Sequence, residues 1–366
     1  MWNFVSPRIV FGEDAIGALE EIYGKRAFIV TDKNLVDIGL VNRVQEQLDK
    51  LGFEQLVYDK IEPDPTTSSI VEGAKLASDF QPDWIVGLGG GSPLDAAKAI
   101  WVIYERPDLL PAEINPFIKL GLRQKARLAT IPTTSGTGAE VTWAIVLTDP
   151  ETGRKVGLGN RENVADIAIV DPIMAADMPP QLTDDTGLDA LTHSVEGFIC
   201  TWHNDISEGL CLNSAREILN YLPLAYEASC SDQADQEKYI LAREKMHNAA
   251  SSAGLGFGNA LSSLAHAMGH TLGAIFHIPH GRAVGLCLPY TIEFASIRES
   301  PRIDLMANIL GFQEKDQKAG QVFAEAIRDI LRTVNNPTSI SELGIPEEDF
   351  DSRMESLVDF SFNDAQ

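Results

Sequence analysis

Four of the seven histidines lie within fifteen residues, in His266-Ala-Met-Gly-His270-Thr-Leu-Gly-Ala-Ile-Phe-His277-Ile-Pro-His280-Gly281. Neutral imidazole is the commonest protein ligand for a transition metal, and it also moves protons near neutral pH. His266 and His270 are four apart, so on a helix they share a face. His280 follows Pro279, where the chain must leave helical geometry and can turn back toward that helix. Far upstream, Asp189-Ala-Leu-Thr-His193-Ser-Val-Glu196 sets a carboxylate and an imidazole at the same spacing. Glu196 lies one turn on, either orienting an imidazole or facing solvent. One carboxylate plus imidazoles from two helices suits Fe²⁺, Zn²⁺, Mn²⁺ or Ni²⁺, and the absence of cysteine disfavours a structural zinc site. Spacing alone leaves the choice among His266, His270, His277 and His280 open. Unrelated core or surface histidines would leave the matching Asp-x-x-x-His pair to coincidence.

A second chemistry is written in Gly87-Leu-Gly89-Gly90-Gly91-Ser92-Pro93-Leu-Asp95-Ala-Ala-Lys98. Glycines let the backbone pass close to a bulky anion. Ser92 is expected to cap the following helix, with Pro93 in its first turn and Asp95 completing a Ser-x-x-Asp box. The helix N-terminus would then offer free N–H groups to a pyrophosphate. A strand-to-helix turn without a ligand is the plainer alternative. The segment matches neither G-x-G-x-x-G nor the P-loop pattern, which leaves an ATPase without support. Asp32, just past an earlier strand, can accept hydrogen bonds from ribose hydroxyls and repel a 2′-phosphate, or simply cap a helix. The loop Thr133-Thr134-Ser-Gly-Thr137-Gly-Ala-Glu140-Val-Thr142 is dense in hydroxyls and glycines suited to phosphate or ribose.

The elements that must position these residues fall into two kinds. Strands are predicted over 26–31, 55–58, 83–88, 128–132, 144–148 and 166–170, with helical patterns over 41–50, 68–80 and 93–104 between the first of them. Such alternation implies a Rossmann-like, mostly parallel sheet with helices on both faces. From about residue 183 the pattern becomes long helical periodicities, clearest at 210–222 and 236–253. The expected division is an α/β dinucleotide-binding domain over 1–180 and an all-helical, metal-binding catalytic domain over 181–366, with 229–237 a polar connection.

At 366 residues the chain is long enough for two cores. Its 53 acidic against 29 basic residues leave a net charge of −24, which argues against nucleic acid and anionic membranes and reads as solubility. The four cysteines form no Cys-x-x-Cys pair, and neither a secretory signal nor a transmembrane run is visible, so a cytoplasmic protein is expected.

Taken together these motifs resemble the iron-dependent (group III) alcohol dehydrogenases. The matching stretches occur in order: Gly89-Gly-Gly-Ser92-Pro-Leu-Asp95, Ile131-Pro-Thr-Thr-Ser-Gly-Thr-Gly-Ala-Glu-Val-Thr142, Gly187-Leu-Asp-Ala-Leu-Thr-His193-Ser-Val-Glu196, His266-Ala-Met-Gly-His270 and Ile278-Pro-His-Gly281. The resemblance implies a dehydroquinate-synthase-like architecture, with metal ligands at Asp189, His193, His266 and His280 and with His270 beside the metal as a proton-relay member. His277 sits where relatives vary. The resemblance also implies cofactor contacts at Asp32, Gly89, Gly90, Gly91, Ser92, Thr133, Thr134, Thr137 and Lys155. Asp64, Val146 and Met174 occupy weaker cofactor-side positions, and Trp143 and Phe257 align with the substrate pocket. Relatives continue through an Asn-Pro-Arg-type segment into a last helix, whereas this sequence stops at Phe362-Asn-Asp-Ala-Gln366, where a pocket residue of the family falls.

The function so implied is hydride transfer between a short primary alcohol or diol and NAD(H), preferred over NADP(H), with Fe²⁺ polarising the substrate oxygen. The partners implied are a small alcohol or aldehyde and copies of this chain in a homodimer or larger homo-oligomer. A polyol dehydrogenase of the glycerol type is one alternative. A non-redox dehydroquinate-synthase-like lyase is another, but it needs several Lys and Arg for its anionic substrate, and Arg282 is the lone basic residue near the histidine motifs. A metallohydrolase would leave the glycine loop and Asp32 idle.

Overall fold

The computed structural model describes residues 3–150, 155–231, 236–298 and 301–364. The chain divides into two compact units, one of Met1–Thr134 with Gly138–Asp177, the other of Ser135–Thr137 with Met178–Gln366.

The first unit is built on β1 (Arg8–Phe11), β2 (Arg26–Val30), β3 (Glu54–Tyr58), β4 (Trp84–Gly89), β5 (Arg127–Pro132), β6 (Ala144–Thr148), β7 (Lys155–Gly159) and β8 (Ile167–Val170). Six of these form one sheet in the order β1-β8-β5-β4-β2-β3, parallel throughout. β4 is buried at every residue, as a central parallel strand covered on both faces must be. The helices α1 (Lys33–Asp37), α2 (Leu40–Lys50), α3 (Thr67–Phe80) and α4 (Gly91–Glu105) supply the cover. Ile70, Ala74, Ile100 and Trp101 join one core with Phe28 and Ile85. Val41, Val44 and Leu48 join another with Ile29 and Val86. Neighbouring strand residues thus serve opposite cores, as the pleat requires.

Two strands were not legible in the sequence, and one expected strand is placed differently. β1 is a four-residue edge strand with no buried residue and so no alternation to read. β7 carries two glycines in five residues, which weakens any strand signal. β6 does not join the parallel sheet; it pairs with β7 as a separate antiparallel ribbon.

The second unit contains α5 (Pro180–Ile199), α6 (Asp205–Ser229), α7 (Gln236–Gly258), α8 (Leu264–Phe276), α9 (His280–Ile297), α10 (Pro301–Ile309), α11 (Ala319–Thr333) and α12 (Glu347–Phe362). Its core runs from Leu188, Leu191 and Val195 of α5 through Ile218 and Leu222 of α6 to Phe323, Ile327 and Leu331 of α11. Of the expected polar connection at 229–237, residues 232–235 lie outside those described, with α6 ending at Ser229 and α7 starting at Gln236. Among the described residues, no helix is long and apolar enough to cross a membrane.

Candidate active site

In the first unit, β2 and β4 lie side by side while the chain leaves them toward opposite edges of the sheet. Such a switch point opens a crevice at the carboxyl ends of the strands, the place where open α/β sheets hold ligands. Asp32 and the Gly89–Ser92 loop stand at those two ends. Asp32 caps α1, its Oδ1 accepting the Leu35 N–H at 3.1 Å. That cap uses one of two carboxylate oxygens, so capping does not exclude a ribose contact by the other.

The glycine loop is held by packing. Gly89 has φ +151°, and a Cβ there would lie 2.5 Å from Pro93 Cγ. Helix α4 starts at Gly91 with Gly90 as an N-cap that offers no side chain. This corrects two expectations, because Ser92 is inside the first turn and Asp95 closes no capping box. The first N–H groups of α4 therefore have neither an intrahelical acceptor nor a side-chain cap, as an anion site requires. Ser92 Oγ instead accepts the Asp64 N–H at 3.3 Å. Asp95 is buried, accepts the Val146 N–H at 2.9 Å and lies 3.3 Å from Lys98 Nζ. Lys98 also donates to the Ala144 carbonyl at 2.9 Å, so this buried pair fastens the β6–β7 ribbon to α4. Burial pushes Asp95 up and Lys98 down, and their mutual attraction opposes both shifts.

That ribbon carries Val146 and Lys155 toward the loop, and Lys155 Nζ lies 2.7 Å from Asp64 Oδ1. Thr133 donates its N–H to the Gly89 carbonyl at 3.0 Å. Thr134 stands 3.3 Å from where a Gly90 side chain would be. The structure thus gathers Asp64, Gly89–Ser92, Thr133, Thr134, Val146 and Lys155 at one sheet edge. Met174 is 2% exposed and packs into a core beneath the sheet. The Trp143 ring lies against Gly159 of β7.

In the second unit, α5, α8 and the first residue of α9 carry the expected metal residues. His193 Nδ1, His266 Nε2 and His280 Nε2 lie 3.7, 3.6 and 3.3 Å from the same atom, Asp189 Oδ1. Metal–ligand bonds of about 2.1 Å in a tetrahedral shell put ligand atoms about 3.4 Å apart. The ligand atoms of Asp189, His193 and His266 all lie within 4.8 Å of one another, a spacing close to that needed for one ion, and His280 approaches the same carboxylate oxygen. Asp189 Oδ1, His193 Nδ1 and His266 Nε2 are buried without a hydrogen-bond partner. Leaving three buried polar atoms unsatisfied is costly unless a cation serves them all.

Charge and backbone both favour this arrangement. Burial holds His193 down at about 3, which keeps its lone pair free. Burial would also lower His266, but the carboxylates of Asp189 and Glu196 lift it to about 9, so a metal must displace that proton. For Asp189, burial is outweighed by the surrounding imidazoles, and it lies well below the usual carboxylate range. The position of His280 follows from Gly281, where a Cβ would fall 1.9 Å from the Asp185 carbonyl, and from Arg282 Nε, 3.1 Å from Asp185 Oδ1. Both fasten the start of α9 to α5, one turn before Asp189.

Glu196, left open by spacing, orients an imidazole. Its Oε2 sits 2.6 Å from His266 Nδ1, and its carboxylate accepts the N–H groups of Ser263, Ala265 and His266, capping α8 from outside the helix. The His193 ring is stacked on Phe257 with centroids 3.9 Å apart. His270 stacks on His280 at 5.0 Å. His277 ends α8 in the left-handed region and is exposed. Thr137 is carried in this unit beside Ser135, whose Oγ lies 3.0 Å from His247 Nδ1. One contact had no local signal at all, the 2.9 Å bond between His270 Nδ1 and Asp364 Oδ2.

Residues 6–172 match the model for iron-containing alcohol dehydrogenase, and residues 183–365 match that for the C-terminal part of the Fe-containing alcohol dehydrogenase family. The chain is 36% identical to an NADPH-dependent butanol dehydrogenase of Clostridium saccharobutylicum, over 100% of this chain and 92% of that one. Among solved structures it resembles a 1,3-propanediol oxidoreductase with a TM-score of 0.90 and 30% identity, covering 100% of this chain and 94% of that one. It also resembles a sulfoacetaldehyde reductase of Bifidobacterium kashiwanohense in complex with NAD⁺, with a TM-score of 0.85, 28% identity and coverage of 99% and 92%. A parallel-sheet unit with an anion-ready glycine loop, a helical unit with a one-carboxylate, three-imidazole cluster, and family models matched along both halves lead to one conclusion: the chain belongs to the iron-containing alcohol dehydrogenases, oxidoreductases that act on the CH–OH group.

Proposed function

We propose that this chain is an NAD(H)-preferring, Fe²⁺-dependent dehydrogenase of short primary alcohols or diols, which in reverse reduces the matching aldehydes. The observation that carries the reading is the set of three buried, unpartnered ligand atoms, Asp189 Oδ1, His193 Nδ1 and His266 Nε2, with His280 Nε2 3.3 Å from the first of them. When bound, the metal supplies a Lewis acid that makes the substrate hydroxyl more acidic, and the nicotinamide supplies the hydride acceptor. Asp189, His193, His266 and His280 would hold the ion, and Glu196 keeps His266 aimed. His270 relays the hydroxyl proton, and Phe257, packed on His193, contributes apolar surface suited to a short carbon chain. The glycine loop and the open N-terminus of α4 bind the diphosphate. Asp32 supports the preference for NAD(H), since its carboxylate would repel a 2′-phosphate. The relatives include an NADPH-dependent butanol dehydrogenase and a reductase in complex with NAD⁺, so the preference rests on this chain's own residues.

The described cysteines are all free, which supports a reducing cytoplasm. Phe294 and Ile297, 51% and 65% exposed on α9, support assembly as a homodimer or larger. The test is the purified chain loaded with Fe²⁺ and assayed with NAD⁺ on primary alcohols and diols. Nicotinamide reduction is expected, and none across a broad alcohol and aldehyde panel would refute the reading. His280→Ala should lose activity and bound metal together; stoichiometric metal by mass spectrometry in that variant would remove His280 from the ligand set.

A further inference from the structure

Helix α8 carries two imidazoles one turn apart, and each is backed by a carboxylate from a different element. His266 is held by Glu196 of α5. His270 is held from the other side by Asp364, two residues beyond the end of α12. The contact is sheltered, with the side chains of His270 and Asp364 only 19% and 16% exposed. A second contact seats α12 at the same height, because Ser361 Oγ lies 3.1 Å from Thr271 Oγ1 and 3.4 Å from the Ala267 carbonyl. These residues bracket His270 on α8.

We propose that Asp364 is a positioning residue for the proton transfer made by His270. An ionised carboxylate only accepts hydrogen bonds, so Nδ1 of His270 carries the hydrogen and Nε2 keeps its lone pair. The ring is thereby locked in one tautomer and one orientation, stacked 5.0 Å from His280 with an interplanar angle of 28°. When an alcohol is oxidised, its O–H bond breaks and the proton forms an N–H bond at Nε2. A bound nicotinamide would supply the acceptor for the hydride of the carbinol carbon, and the electron pair left on oxygen would complete the carbonyl. Free rotation of His270, or a hydrogen on Nε2, would block the first of these events. The inference rests on the assignment of His270 as the proton acceptor.

Histidine-selective ¹⁵N spectra of the full chain loaded with diamagnetic Zn²⁺, assigned with His270→Gln, read the tautomer directly. The Nδ1–H form is expected in the native chain, and the Nε2–H form there would overturn the proposal by itself. Asp364→Asn, whose amide can donate to Nδ1, should populate the Nε2–H form. In the Fe²⁺ enzyme it should lower kcat about 10- to 100-fold while KM stays within about twofold. Bound metal should remain stoichiometric, and Asp364→Glu should restore the tautomer and most of kcat. Ser361→Ala removes the helix-docking hydroxyl and keeps the carboxylate. If it reproduces both the tautomer change and the kcat loss, Asp364 acts only by docking α12 and the proposal fails. A native chain inactive on every alcohol would defeat the functional reading, while the His270 tautomer would still decide the role of Asp364.

Discussion

At the scale of single residues, the outcome turns on carboxylates. The sequence offered seven histidines and 53 acidic residues, and spacing alone could pair only those on one helix. Asp189 and His193 are such a pair. Glu196 and Asp364 act on imidazoles 70 and 94 positions away; helical spacing raised Glu196 as an orienting carboxylate without naming its imidazole, and no local pattern marks Asp364. Removing an orienting carboxylate from a metal-bound imidazole costs about 10- to 100-fold in metal affinity. Glu196→Gln should therefore weaken Fe²⁺ binding by about that factor, measured by competition with a chelator, and affinity within about twofold of the native chain would reduce Glu196 to a cap for α8. Asp32→Gly should raise the NADP-to-NAD ratio of kcat/KM. An unchanged ratio would leave Asp32 with its observed role of capping α1.

At the scale of elements, backbone approach distances matter more than helix propensity. α9 begins on α5 because Gly281 lets the two chains touch and Arg282 pairs with Asp185. Gly269 likewise admits Val284 of α9 to the face of α8, with a Cβ there 2.5 Å from Val284 Cγ1. Helix α7 shows the cost of burying titratable groups. His247 is 1% exposed and lies beside Ser135, and burial first, then Arg243, lowers it to about 4. A histidine depressed in the fold binds fewer protons than in the unfolded chain between its two pKa values. Stability from this source is therefore complete above about 6.5 and lost as pH falls toward 4. The loss amounts to about 3 kcal/mol at 1.36 kcal/mol per pKa unit. In denaturant titrations His247→Gln should flatten that acid limb; an unchanged slope would locate the titration elsewhere.

At the scale of the molecule, the net charge of −24 makes the folded chain repel itself. Raising salt to about 1 M shrinks the screening length to about 3 Å. The melting temperature should therefore rise with NaCl, and a flat or falling curve would show that the acidic surface is already compensated by its ion pairs. The alternation of strands and helices, the switch to helices near residue 180 and the residue types of both candidate sites were legible in the sequence, because periodicity and turn chemistry are local properties. The tertiary structure decided that β6 leaves the sheet for a ribbon with β7, and that Asp95 holds Lys98 and Val146 without capping α4. It also decided which nitrogen atoms face Asp189 and which carboxylate stands behind each imidazole. Those outcomes depend on contacts between residues far apart in the chain, where burial and close approach select among partners that spacing leaves equivalent.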